Sequence, residues 1–79
     1  ETMRLRRLGN NETQITFADG WDVLFSYSTP VAAQSPEGDW FRTEYKHSVT
    51  TSRHINQWLN GTHAELRPQS FFNDMVLGV

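Results

Sequence analysis

Residues 40–59, WFRTEYKHSVTTSRHINQWL, change from a two-residue alternation to a helical pattern within one unbroken stretch. From Phe41 to Val49, every second residue points to one side and the residues between them point to the other, as a half-buried strand requires. The first half of the stretch therefore predicts a strand over residues 40–49. No turn residue separates this strand from the pattern that follows.

The second half of the stretch has three apolar residues at the i, i+3, i+4 spacing that covers one face of a sheet: Ile55, Trp58 and Leu59. Thr50 or Thr51 can accept a hydrogen bond from an amide of the first turn, and Gly61 can take the left-handed conformation that ends a helix. The sequence therefore predicts a main helix over about residues 51–60, packed on the sheet.

Three earlier segments also alternate with period two and are bounded by turn residues: residues 3–8, 13–18 and 21–28. Asp19 and Gly20 lie between the last two and are typical of a type I′ hairpin turn, in which both central residues have positive φ. Pro30 cannot donate to a sheet, so the third strand ends there, bulges or lies at an edge. We therefore predict an α+β fold with a three- to four-stranded antiparallel sheet.

The C-terminal segment allows two interpretations. Pro68 suits the first turn of a helix. A short helix over about residues 69–76 would place four apolar residues on one broad face: Phe71, Phe72, Met75 and Val76. This helix could close the core. It could instead expose an apolar surface through which the chain forms a homo-oligomer or binds a partner.

Length and composition narrow the class of protein. The 79 residues have room for one domain, over residues 1–79, and Met3 is the expected natural start after a two-residue remnant. The chain has no cysteine, which excludes disulfides, thiol catalysis and zinc–thiolate sites. No stretch approaches the roughly 18 apolar residues that cross a bilayer, and no signal peptide opens the chain. We expect a cytoplasmic protein with no membrane contact.

The sequence contains no pattern that indicates catalysis. Its three histidines have no metal-ligand spacing, and no serine or threonine is placed with a base and an acid. His47 is expected to be a partly buried, hydrogen-bonded imidazole, and His54 a surface residue of the first helical turn. No glycine-rich phosphate loop is present. We therefore expect no enzyme activity, no metal and no cofactor.

The cationic side chains offer one argument for nucleic-acid binding. Arg4 and Arg6 share a face of the first strand, and Arg42 and Lys46 share a face of the strand over 40–49. If these strands were neighbours, the four cations would form a stripe. The net charge of −2 argues against a general phosphate-binding surface. Alternatively, basic residues keep edge strands from unwanted pairing.

Two segments, FSYSTPVAA at residues 25–33 and SVTTSRHI at residues 48–55, resemble a family of small uncharacterised proteins encoded by bacteriophages and mobile elements. The resemblance covers about residues 14–60. It implies a viral accessory protein of the kind that binds and blocks host machinery, and it supplies no activity or ligand. It also marks positions to probe: Tyr27, Pro30, Thr50, Thr51, Ser52, Arg53 and His54.

These observations lead to two functional hypotheses. The first is a non-enzymatic binding protein, encoded by a phage, that binds and modulates a host protein. The alternative is a nucleic-acid or nucleotide-binding module that uses the cationic stripe and the helix start at 50–54, where hydroxyls, first-turn amides and cations would form an anion site. The candidate contact residues are Arg4, Arg6, Tyr27, Arg42, Lys46, Thr50, Thr51, Ser52, Arg53, His54, Phe71 and Phe72.

Overall fold

Six strands and two helices follow one another along residues 3–77, the part of the chain that this computed structural model describes. The expected two-residue remnant before Met3 lies outside the described residues. The strands are β1 (Arg4–Gly9), β2 (Glu12–Thr16), β3 (Asp22–Ser26), β4 (Thr29–Gln34), β5 (Trp40–Thr43) and β6 (Glu65–Arg67). The helices are α1 (Val49–Leu59) and α2 (Gln69–Leu77).

All six strands form one mixed sheet in the order β1-β2-β3-β4-β5-β6. The first five pair antiparallel, and β6 pairs parallel to β5. A parallel pair needs a crossover connection, which α1 supplies here. The α+β class is confirmed, but the predicted three- to four-stranded antiparallel sheet is wrong. The three-residue β6 is too short to show an alternation, and β3 and β4 are separate arms of a hairpin.

The two helices cover opposite faces of the sheet. Leu24 belongs to a cluster with α1 residues, whereas its neighbour Val23 belongs to a cluster with Phe72 of α2. Successive strand residues point to opposite faces, so β3 is buried on both sides. The uninterrupted apolar run Val23-Leu24-Phe25 is the sequence pattern that such a strand produces.

The strand predicted over residues 40–49 is much shorter, because β5 ends at Thr43. The Tyr45 N–H donates to Thr43 Oγ1 at 3.2 Å, which turns the chain away from the sheet. The five residues that follow Thr43 form an irregular segment that leads into α1. The alternation through residue 49 was therefore misleading beyond its first four residues.

Ser48 caps the start of α1, so the prediction that Thr50 or Thr51 caps it is wrong. Ser48 has an extended backbone with ψ 166°, and its Oγ accepts the Thr51 N–H at 3.2 Å. The helix therefore begins two residues earlier than predicted. At the other end, Asn60 is the first left-handed residue at φ 49°, and Gly61 follows at φ 83°.

The hairpin predicted at Asp19 and Gly20 is confirmed, but its type I′ assignment is wrong. Gly20 has φ 98°, whereas Asp19 does not take a positive φ. The Gly20 N–H donates to the Phe17 carbonyl at 3.0 Å, and the Trp21 N–H donates to Asp19 Oδ1 at 3.3 Å. The Asp19 side chain therefore stabilises the turn without a left-handed backbone.

Pro30 lies inside β4 at a bulge, one of the three placements that the sequence allowed. It pairs with Phe25, next to the irregularity between Leu24 and Phe25. The Pro30 carbonyl accepts the Gln69 side-chain N–H at 2.7 Å, which attaches α2 to the sheet. A bulge is where a sheet can accept a residue that has no N–H to donate.

The C-terminal segment closes the core, as the first interpretation predicted. Phe72 is fully buried against the sheet, and the Phe71 ring lies 5.5 Å from Phe41 and 6.3 Å from Trp21 between centroids. Gln69 begins α2, and its Oε1 accepts hydrogen bonds of 2.9 Å from both Thr43 and His47. His47 is therefore the partly buried, hydrogen-bonded imidazole that was expected, although it lies in a loop.

Candidate binding surfaces

A groove of about 1030 Å³ lies between the end of β5, the start of α1 and β6. We call it the α1 groove. Its most exposed apolar side chains are Tyr45, Val49 and Leu66, which are 62%, 78% and 57% exposed. Three of the candidate residues from the sequence also line it: Arg42, Lys46 and Ser52.

Local structure explains why these apolar side chains remain at the surface. Val49 is the first residue of α1, where the helix has only just left the irregular segment. Leu66 pairs with Arg42, which pairs with Ala32, so it lies on the α1 face of the outermost strand. α1 packs over the central strands β3 and β4. It therefore leaves Leu66 exposed on β6, at the edge of the same face of the sheet.

The charged groups of the α1 groove balance one another. Arg42 and Lys46 contribute two cations, and Glu44 and Glu65 contribute two carboxylates. Glu65 forms an ion pair with Arg67, and Arg42 Nη1 lies 3.5 Å from the Asn56 amide oxygen. The groove therefore combines an apolar lining with a polar border of both signs, the usual anatomy of a protein-binding patch.

A buried polar cluster joins α1 to β3. Ser26 Oγ lies 2.9 Å from Thr51 Oγ1 and 2.9 Å from His54 Nδ1, and all three residues are buried. The prediction that His54 is a surface residue is therefore wrong. Thr51, His54 and Ile55 share the helix face that packs on the sheet, and the hydrogen bonds to Ser26 satisfy its polar atoms.

The residues of the predicted anion site point in different directions. Thr51 and His54 contact the sheet, and the Thr51 N–H is already bound by Ser48. Ser52 lines the α1 groove, and Arg53 is exposed. The hydroxyls and cations at 50–54 therefore do not converge, and anion binding there stays a prediction that rests on Thr50, Ser52 and Arg53.

Arg4 and Arg6 lie far from the groove. They are exposed on β1, and β2, β3 and β4 lie between β1 and β5. Arg6 and Arg42 occupy the same cross-strand row, four strand spacings apart, or about 19 Å at about 4.8 Å per strand. The predicted four-cation stripe required β1 and β5 to be neighbours, and they are not.

Tyr27 occupies the turn between β3 and β4 with a positive φ of 60°, which is uncommon for a bulky side chain. Its N–H donates to the Asn11 carbonyl at 2.6 Å, so the neighbouring hairpin turn supports this conformation. The ring is 53% exposed and lies 6.2 Å from the His54 ring. Among the two candidate phenylalanines, Phe72 has no surface to offer a partner.

Sequence reasoning did not identify Ser26, Gln69 or Leu66 as residues that shape these surfaces. Ser26 follows the apolar run Val23-Leu24-Phe25 of β3. Such a run indicates a strand that is buried on both faces, so it could have indicated that Ser26 is buried as well. Gln69 and Leu66 carried no comparable signal, because their roles depend on contacts across the chain. The described residues 3–77 contain no cluster of three potential metal ligands and no helix long and apolar enough to cross a membrane.

The architecture is that of a small α+β domain whose mixed sheet is covered by one helix on each face. The chain belongs to the family of unknown function DUF8033, which matches residues 3–74. This match includes every strand, all of α1 and most of α2. No curated protein and no solved structure matches the chain.

Proposed function

We propose that this chain is a non-enzymatic binding protein that acts on a host protein and contacts it through the α1 groove. The observation that carries this proposal is the exposure of Tyr45, Val49 and Leu66 around one groove, although a helix already covers each face of the sheet. Monomeric proteins rarely leave apolar side chains grouped in this way unless the surface binds something.

The composition of the α1 groove favours a protein over other ligands. Burying apolar surface contributes about 25 cal/mol per Å², so three side chains of this size can anchor a partner. Arg42, Lys46, Glu44 and Glu65 at its border can select a partner by charge without a large net attraction. In this proposal, an apolar side chain of the host protein enters the groove.

The proposed phage or mobile-element origin rests on the resemblance over residues 25–33 and 48–55. These segments meet in space, because Ser26 contacts both Thr51 and His54. Their residues hold α1 in position and thereby shape the α1 groove. A protein of this origin would act in the cytoplasm of its host.

An affinity capture from bacterial lysate tests this function. The tagged protein is incubated with lysate, with and without nuclease, and washed at high salt. The proposal predicts one host protein in stoichiometric amount under both conditions, because apolar contacts resist salt. Recovery of nucleic acid alone, or loss of every partner after nuclease and salt, would contradict it.

A nucleic-acid or nucleotide-binding module is the second candidate function. It is favoured by one observation, the presence of Arg42, Lys46 and Ser52 on the same groove. Glu44 and Glu65 line that groove as well and would repel phosphates. A double Arg42→Ala, Lys46→Ala variant should lose oligonucleotide binding, with a steep salt dependence, only if this second function is correct.

A further inference from the structure

Among the described residues, β1 pairs with β2 alone and lies at the end of the sheet, so its outer edge is open within this part of the chain. Five of its six residues are exposed, so neither helix covers it on either face. Within residues 3–77, no strand binds the outward N–H and C=O groups of β1. These groups can accept an additional strand from another chain.

The side chains of this edge are both cationic and apolar. β1 contains Arg4, Arg6 and Arg7, and the ion pair found among the described residues is elsewhere, between Arg67 and Glu65. The three guanidinium groups therefore have no carboxylate partner in that part of the chain. On the same strand Leu5 is 70% exposed and Leu8 is 37% exposed.

Protection of an edge strand explains only part of this composition. Charged residues and a bulge both keep edges from pairing, and β1 has arginines and an irregularity between Arg7 and Gly9. A strand that served only to repel others would not also expose Leu5. Exposed leucines on an edge favour pairing, and arginines without a carboxylate partner among residues 3–77 select acidic strands.

We propose that the β1 edge binds an acidic, extended segment of another protein as a seventh strand of the sheet. Charge complementarity identifies this occupant. A second copy of the chain is disfavoured, because two β1 strands side by side would bring six guanidinium groups into one ladder. This surface lies at the opposite end of the sheet from the α1 groove, and the proposal is independent of the function of that groove.

The alternation of β1 defines the sequence pattern of the partner. Arg4 and Arg6 point to one face, and Leu5 points to the other. Directly opposed side chains in a ladder have Cβ atoms about 4.5–5.5 Å apart. A segment with acidic residues at alternate positions and apolar residues between them would pair carboxylates with Arg4 and Arg6 and cover Leu5.

The test uses a synthetic, fluorescently labelled peptide in which glutamate and valine alternate, and binding is measured by anisotropy. The wild-type chain should bind it. Arg6→Glu should weaken binding at least about tenfold, because it replaces an attraction with a repulsion. A double Gln57→Glu, Ser70→Glu variant, which makes the same change in net charge at exposed positions of α1 and α2, should bind as the wild type does. Equal losses in both variants would overturn the proposal.

Two further probes distinguish strand addition from simple attraction of an anion. Two peptide variants each remove the N–H donors of one edge, by N-methylation of either the glutamates or the valines, and the variant methylated on the edge that faces β1 should not bind. Hydrogen exchange should show new protection of amides within residues 4–9 when the unmodified peptide binds. Unchanged binding of both N-methylated peptides, or equal binding of oligothymidylate without protection of β1, would show a polyanion surface only and overturn the proposal. Failure of the unmodified peptide to bind would overturn it too.

Discussion

The two faces of the sheet are stabilised by different chemistry. On the α2 face, the rings of Trp21, Phe41, Phe71 and the fully buried Phe72 pack against one another. On the α1 face, the buried apolar residues are mostly aliphatic, among them Leu24, Ile55 and Leu59, and the rings of Trp40 and Trp58 pack against them. This face also contains a buried polar cluster, in which Ser26 is hydrogen-bonded to Thr51 and His54.

Apolar packing and buried hydrogen bonds have different roles here. Apolar packing is non-directional and stabilises a domain in proportion to the area it buries. Buried hydrogen bonds contribute less net free energy, but they require one geometry, because an unpaired buried polar atom is destabilising. We infer that the apolar clusters on both faces supply most of the stability, and that the cluster at Ser26 sets the position of α1 and therefore the shape of the α1 groove.

Phe72→Ala should have the largest effect on stability. The substitution removes a fully buried ring from the α2 face and leaves a cavity, so the free energy of unfolding should fall by about 3–5 kcal/mol. Urea denaturation measures this change. Leu77→Ala, on the same helix but 81% exposed, is the control and should change stability by less than about 0.5 kcal/mol. Similar losses in the two variants would refute the assignment of α2 to the core.

Ser26→Ala should have a smaller but specific effect. It leaves Thr51 Oγ1 and His54 Nδ1 without their shared partner, which should lower the free energy of unfolding by about 1–3 kcal/mol. A double-mutant cycle with His54→Leu should give a coupling energy of about 0.5–3 kcal/mol. Additive effects would contradict the view that these residues act as one cluster.

Ser48→Ala should have the smallest effect of the three and tests where α1 begins. Loss of the hydrogen bond from the Thr51 N–H should lower the free energy of unfolding by about 1 kcal/mol. Thr50→Ala removes the cap that the sequence suggested, and it should leave stability nearly unchanged because Thr50 lies inside the helix. A larger loss of stability in Thr50→Ala than in Ser48→Ala would show that the helix begins where the sequence predicted.

The local pattern was sufficient to predict the hairpin at Gly20 and both helices, because turn residues and helical spacing are properties of short segments. The local pattern did not predict the number of strands in the sheet or the parallel pairing of β6 with β5. The three residues of β6 have too little length for a period, and their place beside β5 depends on the crossover through α1. The predicted strand over residues 40–49 was too long. The hydrogen bond from Tyr45 to Thr43, which turns the chain away from the sheet at the end of β5, cannot be read from the alternation of residues.

The candidate surfaces were predicted only in part. Arg42, Lys46 and Ser52 were identified as contacts and do line one groove. The apolar side chains of that groove were not identified, since Tyr45 and Val49 were assigned to a half-buried strand. His54 was misplaced because only apolar residues were used to find the buried face of α1, whereas that face also contains hydrogen-bonded polar residues.

Two matched variants test the proposal that the α1 groove binds a host protein. Leu66→Asp places a charge in the groove, and Leu77→Asp places the same charge on an exposed leucine of α2, on the opposite face of the sheet. Both proteins are used to capture partners from bacterial lysate under high salt after nuclease treatment. Leu77→Asp should retain the partner of the wild type, and Leu66→Asp should lose it. Retention of that partner by Leu66→Asp at the wild-type level would show that the groove is not the binding surface.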